Sequence, residues 1–257
     1  MTKLLIFDLD GTLSTLRDGW EYVLETLAGL MLGNSPQYAE FKRYIEISGG
    51  IASNYHLQKL QELQREAWYN PTNLQSLIDV YKSARESQLL NRKLMSQGLD
   101  HYQLQDKWGV PGLRGALSTL YSDGYSMEIV STLSIEEIQD QILYLGIQDF
   151  FASLHSPGVK ENFASTEEGL RIAYSVALGE IHAYMIGDSP CDVSLAGLIN
   201  IPFIGIAYAY TAAARERKEK LLREAGAKTV LPDLSNLAQS IAEVGLSRTL
   251  KAGDTPP

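Results

Sequence analysis

Four apolar residues in a row, Leu4 to Phe7, stop abruptly at Asp8 and Asp10. A short unbroken run of that kind predicts a strand buried on both faces. The pattern then changes. In "GWEYVLETLAGLM", Trp20, Val23, Leu24, Leu27 and Leu30 recur at helical spacing. "PQYAEFKRYIEI" and "NYHLQKLQELQREAW" predict two more helices, on either side of a loop at Ser48–Gly50. "PTNLQSLIDVYKSARESQLLNRK" predicts another, read as opened by Pro71. Between residues 14 and 105 there is almost no strand signal.

From Val110 onward, strands and helices alternate. "LRGALSTLYSDG" predicts a helix ended by Gly124, and "YSMEIVS" a strand. "SIEEIQDQILYLG" carries a capping box, Ser134 with Glu137, and closes on Gly146. "FASLH" reads as a strand, and "STEEGLRIAYSVALG" as a helix capped by Ser165 with Glu168. The strands "AYMIG", "PFIGIA" and "TVL" come next, separated by the helices "PCDVSLAGLI" and "TAAARERKEKLLREAG", and "LSNLAQSIAEV" is the last helix. Such alternation predicts an α/β fold with a parallel sheet covered on both faces. The expected division is an α/β core at 1–13 and 106–246, an all-helical insertion at 14–105, and a disordered tail at 247–257.

Composition narrows the picture. A net charge of −9 argues against a nucleic-acid polymer or an anionic membrane as partner. Cys191 is the only cysteine, so no intrachain disulfide forms and a reducing compartment fits. Neither a signal-peptide pattern nor a membrane-length apolar run is found, and the expectation is a cytoplasmic enzyme-like protein.

Ligands of parallel α/β sheets bind at the carboxyl ends of the strands. The first strand is followed by Asp8 and Asp10, the second by Ser131 and Thr132, the third by Lys160, and the fourth by Asp188 and Asp192. Each alone has an ordinary explanation as a cap, a turn or a solvated side chain. Together on one edge they predict a site. Residues i and i+2 of a strand share a face, so Asp8 and Asp10 are expected to approach one centre. Gly11 would permit a tight turn and Thr12 would cap the segment after it. Four acids answered by one lysine would repel each other and any anionic substrate. A hard divalent cation resolves this, and oxygen-only ligands point to Mg²⁺. A phosphoryl group suits such a centre.

These segments are recognisable. "FDLDGTL", "IVST", the lysine of "PGVKEN" and "GDSPCDV" resemble, in order, the four signature motifs of the haloacid dehalogenase-like hydrolase superfamily. The look is of the phosphoglycolate phosphatase-like branch, which has a Rossmann-like core and a helical cap inserted after the first motif. The resemblance implies a Mg²⁺-dependent phosphatase acting on a small phosphorylated metabolite. Asp8 would be the nucleophile and Asp10 the general acid and base. The Asp8 and Asp188 carboxylates and the Asp10 carbonyl would hold the metal, with Asp192 beside it. Ser131 and Lys160 would contact the transferring phosphoryl group. Glu161 departs from the proline that commonly follows the third-motif lysine. A sugar phosphomutase of the same superfamily and a catalytically idle binding or regulatory module are the alternatives.

Within the insertion, the loop "EISGGIASN" is expected to reach over the site, with Gly49 and Gly50 permitting close approach to substrate. Arg17 and Arg43 are candidates for a substrate carboxylate or second phosphate. Cys191 reads as a small buried apolar residue rather than a reactive thiol. His155 and His182 have no role in a carboxylate metal site. Trp20, Tyr55, Trp68 and Tyr69 read as packing of the helical unit.

Overall fold

The computed structural model describes residues 2–67 and 71–252. Six parallel strands form one sheet: β1 (Thr2–Phe7), β2 (Tyr125–Val130), β3 (Ser153–His155), β4 (Ile181–Gly187), β5 (Phe203–Ile206) and β6 (Thr229–Leu231), in the order β3-β2-β1-β4-β5-β6. The chain winds outward from β1 to β3, then crosses back to place β4 on the other side of β1. The carboxyl ends of β1 and β4 therefore flank the switch point where such sheets open a crevice.

Alternate residues of β1 feed opposite layers, as strand geometry requires. Leu5 and Phe7 enter an apolar cluster with Leu117, Leu120, Ile138, Ile142 and Leu145, while Leu4 and Ile6 pack with Ile172, Leu195 and Ile199. The first layer contains α6 (Leu113–Ser122) and α7 (Ile135–Leu145); the second contains α8 (Glu167–Ala177) and α9 (Pro190–Leu198). The remaining helices of this half are α10 (Ala212–Glu224) and α11 (Leu237–Ala252).

Between β1 and β2 run α1 (Trp20–Leu32), α2 (Pro36–Ile47), α3 (Ser53–Ala67), α4 (Leu74–Leu94) and α5 (His101–Trp108). The first four enclose an apolar centre of their own, built on Leu24, Phe41, Leu57, Leu60, Leu63 and Leu77. Helix α5 does not share it. Leu104 packs into the sheet-side cluster, and Gln105 Nε2 donates to Leu145 O at 2.8 Å. A division at residue 105 would thus cut a helix that packs on the α/β layer.

Three local expectations shift. Helix α8 is capped by Thr166, whose Oγ1 accepts from Gly169 N at 3.1 Å, because Ser165 closes a preceding 3₁₀ turn at Lys160–Ser165. Helix α4 starts after Asn73, whose side chain accepts from Gln75 N and Ser76 N, rather than at Pro71. Helix α11 continues to Ala252, into the stretch read as a tail; residues 253–257 lie outside the described residues, as do Trp68 and Tyr69. The Ser134–Glu137 capping box of α7 forms as expected. Trp20 packs against the helical centre, whereas Tyr55 is exposed. Among the described residues no helix is long and apolar enough to cross a membrane.

Candidate active site

Strand register places the polar residues. Phe7 pairs with Ile129 on β2 and with Ile186 on β4. One step further stand Asp8, Val130 and Gly187, and the next step brings Ser131 and Asp188 to the same edge. Asp8 is buried, and its N–H donates to Ile186 O at 2.9 Å, fixing the strand end against β4. Carboxylate oxygens of Asp8, Asp188 and Asp192 lie within 4.8 Å of one another.

Lys160, 2% exposed, sits between two of these acids. Its Nζ is 2.9 Å from Asp8 Oδ1 and 2.7 Å from Asp192 Oδ1. Glu161 stands next to it in the 3₁₀ turn Lys160–Ser165, and Lys160 still reaches both acids. Asp192 is fully buried, and Oδ2 accepts from Asp188 N at 3.1 Å, Ser189 N at 3.0 Å and Ser189 Oγ at 2.7 Å. Both its oxygens are therefore engaged, and Asp192 braces Lys160 and the turn that carries Asp188.

Electrostatics follow from burial. Loss of solvent pushes the Asp8 carboxyl well above its ordinary range; Lys160 pulls it down, and Asp192 and Asp188 push it up again. Burial alone would lower the Lys160 ammonium, but Asp192 and Asp8 outweigh it and hold its pKa above the usual lysine value. The two directions agree, because one ammonium cannot neutralise several neighbouring carboxylates.

Asp10 stands apart from this cluster. Its Oδ1 accepts from Gln141 Nε2 at 2.8 Å, and Arg17 Nε lies 3.8 Å from Oδ2. Loss of solvent raises the Asp10 carboxyl, while Arg17 and Gln141 lower it. Arg17, a candidate substrate contact from sequence, is committed to Asp10 and to Glu137 Oε1 at 2.8 Å. Arg43 is exposed on α2 and forms no ion pair with a described residue. Thr12 Oγ1 is 3.5 Å from Asp8 Oδ2, so it faces the nucleophile candidate rather than capping a helix. Ser131 is buried, and its Oγ accepts from Leu133 N at 3.3 Å; Thr132 is half-buried beside it.

The two loop glycines behave differently. Gly50 has φ +83°, and a Cβ there would lie 2.2 Å from Ser189 Oγ, so the helical unit's loop rests directly on the turn between Asp188 and Asp192. Gly49 has open space around its Cβ position. Gly50→Ala is expected to push this loop away and lower kcat/KM about tenfold, given ~1–2 kcal/mol for a left-handed non-glycine residue. Gly49→Ala should have the smaller effect. Steady-state kinetics on the two variants checks the contrast. Gly11 meets a similar limit: with φ +79°, a Cβ would stand 2.1 Å from Asp188 Oδ2.

Two participants escape sequence reasoning. Lys218 on α10 places Nζ 2.6 Å from Asp188 Oδ2 and donates to Tyr208 O at 3.2 Å. The acidic cluster is thus met by two lysines rather than one, and Asp10 is answered separately. The only hint was the i, i+4 spacing of Lys218 from Leu222, the buried residue of a highly charged helix. Gln141 had a clearer signal. It falls in the apolar stripe of Ile138, Ile142 and Leu145, where a polar side chain needs a reason. Burial pushes the half-buried Cys191 thiol up to about 12, which favours the protonated thiol at neutral pH. His155 pairs with Glu128 Oε2 at 2.9 Å, and His182 is exposed.

The switch point of a parallel sheet, with an aspartate at the tip of a central strand paired to a buried lysine and facing a second acidic turn, defines a class that comparison identifies. The profile of the haloacid dehalogenase-like hydrolases matches residues 5–206, and the chain belongs to that family. Its fold is similar to a phosphonoacetaldehyde hydrolase-like protein from Oleispira antarctica (TM-score 0.67, 15% identity, 99% of this chain and 96% of that one). It is similar also to a predicted phosphatase from Clostridium acetobutylicum (TM-score 0.62, 17% identity, 95% and 99%). A β-phosphoglucomutase from Clostridium difficile matches with TM-score 0.61 and 15% identity over 97% and 99%. A search of curated proteins found no match.

Proposed function

We propose that the protein is a Mg²⁺-dependent phosphatase that hydrolyses a small phosphomonoester through an aspartyl-phosphate on Asp8. The observation that carries this reading is the buried Lys160 bridging Asp8 and Asp192, with Asp188 completing a cluster of oxygens within 4.8 Å. An ammonium fixed on a nucleophile candidate is suited to a reaction in which negative charge gathers there.

The donor set fits a hard divalent cation, since it consists of carboxylate oxygens with neither nitrogen nor sulfur among them. Asp8 and Asp188 would hold it, together with the Asp10 carbonyl; Asp192, engaged by four donors, supports them. When bound, Mg²⁺ supplies positive charge that neutralises the phosphate oxygens.

The residues of the chain do the rest. An Asp8 carboxylate oxygen attacks phosphorus, the ester P–O bond breaks, and its electron pair leaves with the alcohol oxygen, which takes the proton from Asp10. Water then attacks the aspartyl-phosphate phosphorus while Asp10 removes its proton, and the P–O bond to Asp8 breaks. Inorganic phosphate and the free Asp8 carboxylate result. Lys160 stays on Asp8 throughout, and Ser131 Oγ hydrogen-bonds the phosphoryl group. The four-helix unit acts as a cap whose Gly50 loop closes over the 188–192 turn, excludes bulk water and selects substrate.

A phosphate-release screen over many phosphometabolites tests the reading. Release is expected with Mg²⁺, lost with EDTA and recovered on adding Mg²⁺ back. Isomerisation of a sugar phosphate without phosphate release would favour a mutase, and no turnover across the panel would leave only an idle module.

A further inference from the structure

We infer that Gln141, on α7, is a positioning residue that aims the Asp10 carboxyl at the leaving-group oxygen; the inference rests on the phosphatase reading above. Gln141 is 1% exposed, and Nε2 donates to Asp10 Oδ1 at 2.8 Å across 131 residues of sequence. Its Oε1 is buried without a partner among the described residues. An unpartnered buried carbonyl is unfavourable, and the other buried residues of α7 are Ile138, Ile142 and Leu145. Packing alone therefore gives no reason for an amide at this position. The hydrogen bond to Asp10 does.

The opposite side of Asp10 is held from the same helix. Glu137, one turn before Gln141, accepts from Arg17 Nη2 at 2.8 Å, and Arg17 Nε faces Asp10 Oδ2 at 3.8 Å. Residues i and i+4 share a helix face, so α7 presents both supports in one fixed spacing. The Ser134–Glu137 capping box anchors that turn of the helix. Asp10 is thus clamped between a direct donor and a cation held in place by its neighbour. Arg17 belongs to the segment leading into the helical unit, and Arg85 and Arg92 on α4 donate to the carbonyls of Thr15, Leu16, Arg17 and Asp18. Gln141 is the support that stays with the sheet when that unit moves.

Aiming the acid matters only where the leaving oxygen needs its proton. The test is the single-turnover rate of Asp8 phosphorylation with Mg²⁺, using two probes: β-glycerol phosphate, an alkyl ester, and p-nitrophenyl phosphate, whose leaving group departs without a proton. Gln141→Met keeps length and removes the donor. It is expected to slow the alkyl ester about tenfold to a hundredfold, a part of the roughly 10²–10⁴-fold that a general acid contributes, and p-nitrophenyl phosphate less than about threefold. Gln141→Leu, which also lacks the donor, should show the same selective loss and serves if the methionine variant does not fold. Equal losses on the two esters, or none on either, would overturn the inference. A wild type inactive on both would instead remove the phosphatase reading beneath it.

Discussion

Asp8→Asn is expected to abolish phosphate release, by about 10⁴-fold or more as for loss of other covalent nucleophiles, while the fold becomes no less stable. The two halves of that result have separate causes. The amide retains the size of the side chain but cannot form the acyl-phosphate bond. Stability is preserved because the Asp8 carboxylate is an unfavourable charge in the resting protein: burial and the nearby Asp192 and Asp188 raise its pKa, and Lys160 offsets only part of this. With Asp8 neutral, Lys160 still keeps Asp192 at 2.7 Å. Single-turnover phosphate release and a thermal melt, read together, check both halves. Residual release within tenfold of wild type would remove Asp8 from the role of nucleophile.

Lys160→Met should damage activity and fold together. Methionine fills the volume but leaves Asp8 and Asp192 facing each other without the ammonium between them. Breaking a buried pair from one side costs about 3–5 kcal/mol, which for a chain of this length lowers Tm by roughly 10 °C. Phosphate release should fall by about 10²–10³-fold, the scale seen when a preorganised charge-stabilising group is removed. The double variant Lys160→Met/Asp192→Asn separates the effects. It is expected to regain part of the Tm, because one buried charge has gone, and none of the activity. Recovery of turnover along with the Tm would mean that Lys160 serves only to hold the turn.

The core was legible because its signals are short-range. "LLIF" before Asp8, and the capping box and closing glycine around α7, act within one element, and all reappear at the expected positions. Edge placement was legible too, since a parallel sheet directs every strand's carboxyl end the same way and Asp8, Ser131 and Asp188 had to emerge together. The boundary of the helical insertion was less so. Helix α5 has the polar composition of its predecessors, and only the contacts of Leu104 and Gln105 assign it to the sheet layer. The tail differs for a related reason: the absence of periodicity in 247–257 predicts disorder, whereas α11 runs on to Ala252.

Sequence by itself determined the chemistry on offer, namely two aspartates at the end of a buried strand, a lysine after the third strand and a second acidic turn after the fourth, because those residue types follow elements whose direction is fixed locally. Tertiary structure decided how the charges are apportioned. Asp192 is occupied as a brace, Arg17 belongs to Asp10, Lys218 meets Asp188, and Gln141 reaches the acid from a helix far along the chain. A side chain's partner depends on distances between elements brought together by packing, and no periodicity within one segment records them.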